Sequence, residues 1–193
     1  MKAPIKNMEL AQVLEDLKTS DHLNFDEICD LLFRFSYSDF DEIFNISDKV
    51  IPDETYVQIP VYNGRFVAVL MVWGIDGSSA IHDHSKYDVR IKVLKGMVTE
   101  VIYRENENFI EYDGVGTALE NHVFPEEYNG IHSIVNNSED ISVSLHVYRT
   151  PRFDLKGVRI FDTENRKIGW LTENATSCSW NLPPSAYQKI QKI

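Results

Sequence analysis

From about residue 55 the hydrophobic pattern of this chain changes period. The 3.6-residue repeat of amphipathic helices gives way to the 2-residue repeat of strands, which persists to about residue 149. Strand candidates fall at 56–62, 65–73, 80–84, 88–94, 97–104, 107–113, 119–124, 131–136 and 140–149. Asn63-Gly64 is a strong hairpin signal, and Gly77-Ser78-Ser79 and Gly96 mark further turns. Many short strands divided by Gly, Asn and Asp turns favour a jelly roll or related closed β-barrel over a parallel α/β sheet. After Pro151 the segments 157–162 and 167–171 read as added edge strands, and the tail from Thr172, with Pro183-Pro184, reads as irregular.

Ahead of the strands, Leu10, Val13, Leu14 and Leu17 recur at helical spacing, as do Ile28, Leu31, Leu32 and Phe35. Asn24 is placed to cap the second helix with Glu27 three residues on, and Leu23 and Ile28 hold the positions of a hydrophobic staple. A third short helix is expected after Ser38, using Phe40, Ile43 and Phe44. The expectation is one mainly β domain over 1–193: helices in 1–50 packed against a barrel in 55–150, then strands and a tail in 151–193.

The formal charge of −11 argues against nucleic acid, whose phosphates need clustered Lys and Arg, and requires a local positive site for a small anionic substrate. No run approaches 18 apolar residues, so no membrane span is expected. The N-terminal stretch lacks the apolar core of a signal peptide. Cys29 and Cys178 lie far apart, and Cys29 is on the apolar side of a helix, so free thiols rather than a disulfide are expected. These features predict a cytoplasmic protein, with a monomer as the default.

Chemistry concentrates in His82-Asp83-His84. Residues two apart on a strand share a face, so both imidazoles can reach one metal ion. His132 and His146 sit in the apolar alternating segments Gly130-Ile131-His132-Ser133-Ile134 and Ser144-Leu145-His146-Val147-Tyr148. A histidine buried there costs free energy unless its ring nitrogens are bonded. Of the six histidines, His22 and His122 fall outside these patterns and receive no role.

Several pieces, in this order, carry a resemblance: Trp73-Gly74, the run Gly77 to His84, Lys92-Val93-Leu94-Lys95-Gly96, Gly130-Ile131-His132 and the segment Ser144 to Tyr148. Over roughly residues 55 to 150 the chain resembles the thiol dioxygenase branch of the cupin superfamily, which contains cysteine dioxygenase and bacterial 3-mercaptopropionate dioxygenase. The resemblance implies a cupin jelly roll in which His82, His84 and His132 bind Fe(II). In cupins generally an acidic ligand precedes the glycine of the first motif. Counting back from Gly96 places that position at Val89, which cannot bind metal, and Asp88, the rival, points to the opposite face. Three neutral imidazoles suit Fe(II) with open positions remaining, although their spacing alone does not exclude zinc or nickel.

By the same resemblance a substrate thiolate and O2 meet at the ferrous ion, both oxygen atoms pass to sulfur, and a sulfinate results. Ser144, His146 and Tyr148 match the family's Ser-His-Tyr relay, with Tyr148 near the metal and His146 orienting its hydroxyl. Gln58 stands where cysteine-specific members carry a carboxylate-binding Arg, and Val89 stands where mammalian-type enzymes carry the cysteine cross-linked to tyrosine. Both departures resemble the glutamine-type bacterial enzymes and imply 3-mercaptopropionate as substrate, with cysteine or another mercapto acid as the alternative. The substrate carboxylate needs strong donors. Arg159 or Arg152 are the candidates, while Arg149 alternates away from the relay face. A cupin that binds metal or metabolite without turnover is the reading from a different class.

Overall fold

The structure, a computed structural model, describes residues 9–20, 22–84, 88–126, 130–151 and 154–193. Three helices open it: α1 (Leu10–Leu17), α2 (Phe25–Leu32) and α3 (Tyr37–Phe44). At α2 the Asn24 side chain accepts from Glu27 N at 3.0 Å while Glu27 accepts from Asn24 N at 2.8 Å, the reciprocal cap expected from the sequence. α3 starts one turn residue earlier than expected, because Ser36 and Asp39 form a second such box.

Among the described residues twelve strands follow: β1 (Tyr56–Asn63), β2 (Val67–Trp73), β3 (Ile81–Asp83), β4 (Val89–Lys95), β5 (Met97–Glu105), β6 (Ile110–Leu119), β7 (Val123–Glu126), β8 (Ile131–Val135), β9 (Ser142–Tyr148), β10 (Arg159–Asp162), β11 (Lys167–Leu171) and β12 (Tyr187–Lys192). They form two antiparallel sheets, ordered β1-β2-β9-β4-β7 and β12-β11-β10-β3-β8-β5-β6. This is the jelly-roll arrangement, with no hydrogen-bonded closure between the sheets among the described residues. No described helix is long and apolar enough to cross a membrane.

The first sheet is sandwiched, which explains why β2 is buried along its whole length. Ala68, Leu70 and Val72, with Val143, Leu145 and Val147 of β9, pack against Leu10, Val13, Leu17, Ile28, Leu32 and Phe40 of the helices. The alternate residues Val67, Val69, Met71 and Trp73 turn inward and join Val89, Ile91 and Val93 of β4 in the interior. Each fully buried aliphatic side chain here contributes about 1.5–3 kcal/mol. Burial on both faces holds β9 rigid, and β9 carries Ser144, His146 and Tyr148 inward.

Three expectations need correction. The hairpin after β1 pairs Asn63 with Val67, so its loop is Gly64–Phe66 rather than a two-residue Asn-Gly turn. The expected strands 107–113 and 119–124 are instead β6 and β7, because β6 follows β5 past a bulge at Asp113 beside Gly114. The tail is irregular over 172–183 as expected, but its end is not: β12 pairs with β11 as an edge strand whose exposed lysines suit that position. Gly96, by contrast, is required at its turn. Its φ is +73°, and a Cβ there would lie 2.5 Å from Ser142 Oγ.

Candidate metal centre

Sheet register brings the three histidines together. His82 stands directly opposite His132 across β3 and β8, and the ladder continues past Asp83 to a bond from His84 N to Gly130 O at 3.1 Å. His84 therefore projects on the same face as His82, and the rings converge, with centroids 5.2 Å apart for His82–His84 and 4.8 Å for each of the other two pairs. One nitrogen from each ring lies within 4.8 Å of the others. Such a donor set fits a single divalent transition-metal ion, three imidazoles leaving coordination positions open.

Two of the remaining nitrogens, on His82 and His132, are held in place. His82 Nδ1 lies 2.9 Å from the Ala80 carbonyl oxygen, which only accepts, so Nδ1 carries the proton and Nε2 is the ligand atom. His132 Nδ1 lies 2.8 Å from Glu100 Oε1 and 3.2 Å from Glu126 Oε1. Desolvation and the neighbouring His132 push His82 down to about 3, and the same two causes, with His82 and His146 added, hold His84 well below the ordinary range. Both are therefore neutral, as metal ligands must be. For His132, desolvation is outweighed by hydrogen bonds to the two glutamates, and its value rises to about 9.

On β9 the Ser144 hydroxyl lies 2.8 Å from His146 Nε2, and both side chains are buried. Trp73 Nε1 donates to the same Ser144 oxygen at 2.9 Å. Desolvation, then the nearby His132, push His146 down to about 3, so it is neutral. The His146 and Tyr148 rings stack with centroids 6.1 Å apart, and Tyr148 also meets the His84 ring edge-on at 6.3 Å.

The three histidines, Trp73, His146 and Tyr148 line one cavity of about 300 Å³ together with Tyr56, Gln58, Val67, Met71, Ser79, Thr150, Asp154 and Cys178. Gln58 reaches it as expected from its position on β1. Arg159 does not: its guanidinium is held by Asp83 and Glu105, on the side of β3 away from the histidine rings. Arg152 lies outside the described residues. Arg149 pairs with Asp88 at 3.0 Å and lies over the Phe25 ring, which turns both away from the cavity. Val89 points into the interior apolar cluster. Both cysteines are free and buried, and burial pushes the Cys178 thiol up so that it stays protonated.

Glu100, Glu126, Trp73 Nε1 and Asp154 were not assigned from the sequence. Glu100 has a readable signal, because it shares strand phase with the buried Val98 and so points an acid inward. Glu126 and Asp154 have none, since only the pairing of β7 with β4 and the path of the chain after β9 bring them in.

A family model described as cysteine dioxygenase type I matches residues 2–164 of the chain. The cysteine dioxygenase type 1 of Danio rerio is 26% identical over 168 residues, covering 80% of this chain and 78% of that protein. That of Homo sapiens is 25% identical over 194 residues, covering 89% and 92%. That of Rattus norvegicus is 25% identical over 159 residues, covering 76% and 74%.

Proposed function

The chain belongs to the cysteine dioxygenase type I family and is a non-haem iron thiol dioxygenase; from that premise we propose that His82, His84 and His132 hold Fe(II) and that 3-mercaptopropionate is converted to its sulfinate. The observation that carries the proposal is the convergence of three imidazoles on a cavity that His146 and Tyr148 also enter, with Ser144 bonded behind His146. When bound, the ferrous ion supplies open positions for thiolate and O2, both oxygen atoms of which end on sulfur.

The chain's own residues supply binding, orientation and exclusion of water. Ser144 fixes the His146 ring through Nε2, and the neutral His146 stacks against Tyr148. We assign Tyr148 Oη the part of orienting the oxygen atoms as they approach sulfur. Val67, Met71 and Leu155 give the cavity apolar walls that keep water from the reacting groups. Gln58 meets the substrate carboxylate with neutral hydrogen bonds, which matches a substrate held without a bidentate ion pair.

One observation favours a second reading of the substrate. Among the described residues the cavity is lined by no Lys or Arg but by one acid, Asp154. A carboxylate there favours a thiol bearing an ammonium group, as cysteine does. Oxygen uptake by the Fe(II)-loaded protein, compared across 3-mercaptopropionate, cysteine, mercaptosuccinate and 2-aminoethanethiol, separates the readings. The highest kcat/KM is expected for 3-mercaptopropionate, and higher values for the two amino-thiols would move the assignment to the Asp154 reading. Loss of turnover is expected for Tyr148→Phe and His84→Ala, and unchanged turnover in both would overturn the site.

A further inference from the structure

The three metal-facing histidines are not held alike. His82 donates its Nδ1 proton to a backbone carbonyl, a neutral dipole, at 2.9 Å. His132 faces two carboxylates, Glu100 from β5 at 2.8 Å and Glu126 from β7 at 3.2 Å. Their side chains are only 16% and 7% exposed, and among the described residues neither forms an ion pair with Lys or Arg. Burying two carboxylates costs several kcal/mol unless something in the fold uses them. They converge on one imidazole N–H, which fixes the His132 tautomer and leaves Nε2 as the ligand atom, and they are also hydrogen-bonded to each other. Register accounts for the arrangement: Glu126 is the cross-strand partner of Val89 on β4, so an acid enters the interior beside the metal site one strand away from a position held by valine.

We propose that Glu100 and Glu126 are a positioning pair for His132, turning its Nε2 to the ferrous ion and making it the most electron-rich of the three ligands. The inference rests on the three-histidine iron site of the preceding section. It adds that the negative charge of the site is carried behind one ligand rather than in the coordination shell.

The test is anaerobic Fe(II) titration of the apo-protein, with the Fe(III)/Fe(II) midpoint potential measured on the loaded protein, for wild type, Glu100→Gln, Glu126→Gln, the double variant and Glu126→Asp. The double Gln variant is expected to bind Fe(II) about 10–100-fold more weakly. Its midpoint potential should move positive, because a less basic His132 stabilises the oxidised ion less. Each single Gln variant should give a smaller change, and Glu126→Asp should retain most of the wild-type affinity. Thermal unfolding of the apo-proteins separates this from a folding defect, and a single variant that unfolds like wild type then carries the comparison. Wild-type affinity within twofold and an unshifted potential in the double variant would overturn the inference alone. A wild-type protein that takes up no iron, or a His132→Ala variant that binds as tightly as wild type, would overturn the three-histidine reading with it.

Discussion

Trp73 donates its indole N–H to the Ser144 hydroxyl at 2.9 Å, and this bond sets the direction of hydrogen bonding along the inner face of β9. The serine has one proton to give, and His146 Nε2 accepts it at 2.8 Å. His146 is thereby placed in the tautomer that carries its proton on Nδ1. Replacing Trp73 with Phe keeps an aromatic ring and removes the donor. We expect a fall in kcat of about 10-fold, with a smaller change in KM, because the Ser144 hydroxyl is then free to turn and the His146 ring loses its fixed orientation. Stability should fall by roughly 1–3 kcal/mol, read from urea unfolding. Unchanged kcat in a folded Trp73→Phe protein would show that the bond does not matter for turnover.

Arg159 pins the back of the metal strand rather than the substrate. Its Nε reaches Asp83, the residue between His82 and His84, while Nη1 reaches Glu105 at 2.6 Å. Arg159→Ala leaves the Asp83 carboxylate buried without its charged partner. A loss of roughly 2–4 kcal/mol is expected, discounted from a fully buried pair because the arginine is 25% exposed. KM for the thiol should stay within about twofold of wild type, since the side chain does not line the cavity. A large rise in KM with little loss of stability would return Arg159 to the substrate.

Acid should destabilise the apo-protein. His82 and His146 are both depressed to about 3, against an ordinary 6.5, by desolvation and by the nearby His132. Between pH 6.5 and 3 the unfolded chain therefore binds protons that the folded chain refuses. Stability falls as pH falls through this window, by about 1.4 kcal/mol per pH unit for each group. His132, raised to about 9, acts oppositely and only above 6.5. Urea unfolding of apo wild type and His146→Gln at pH 6.5 and 5.0 checks this, and the variant should lose about 1.4 kcal/mol less per unit. Equal slopes would contradict it.

Lys92 ties the helices to the first sheet. Its Nζ donates to Phe33 O at 2.7 Å and to Phe35 O at 3.0 Å, capping the carbonyl end of α2 from β4. Lys92→Met keeps the length of the side chain and strands those carbonyls. A loss of roughly 1–3 kcal/mol is expected, with turnover of the Fe(II)-loaded protein unaffected, because Lys92 points to the face opposite the cavity. Thermal unfolding and an oxygen-uptake assay on the same preparation measure both.

What could be read from the sequence was whatever short-range periodicity encodes. The two-residue spacing of His82 and His84, and of Ser144, His146 and Tyr148, already assigns each set to one face, and Asn24 with Glu27 marks the start of α2. What escaped depends on register between distant strands. Glu126 enters the interior only because β7 lies against β4, and Trp73 reaches Ser144 only because β2 lies against β9. The surroundings of Arg159 escape for the same reason: strand phase does not reveal that Asp83, on the back of β3, claims its guanidinium. β12 is not legible because Tyr187–Lys192 is exposed almost throughout and carries no two-residue apolar alternation.

The most direct test of the account is a single-turnover reaction of the anaerobically Fe(II)-loaded protein with 3-mercaptopropionate and oxygen-18 gas, with the product analysed by mass spectrometry. A thiol dioxygenase working at His82, His84 and His132 gives a sulfinate in which both sulfur-bound oxygens carry the label, and a His84→Ala protein gives none. A disulfide product, a single labelled oxygen, or the same yield from His84→Ala would contradict it.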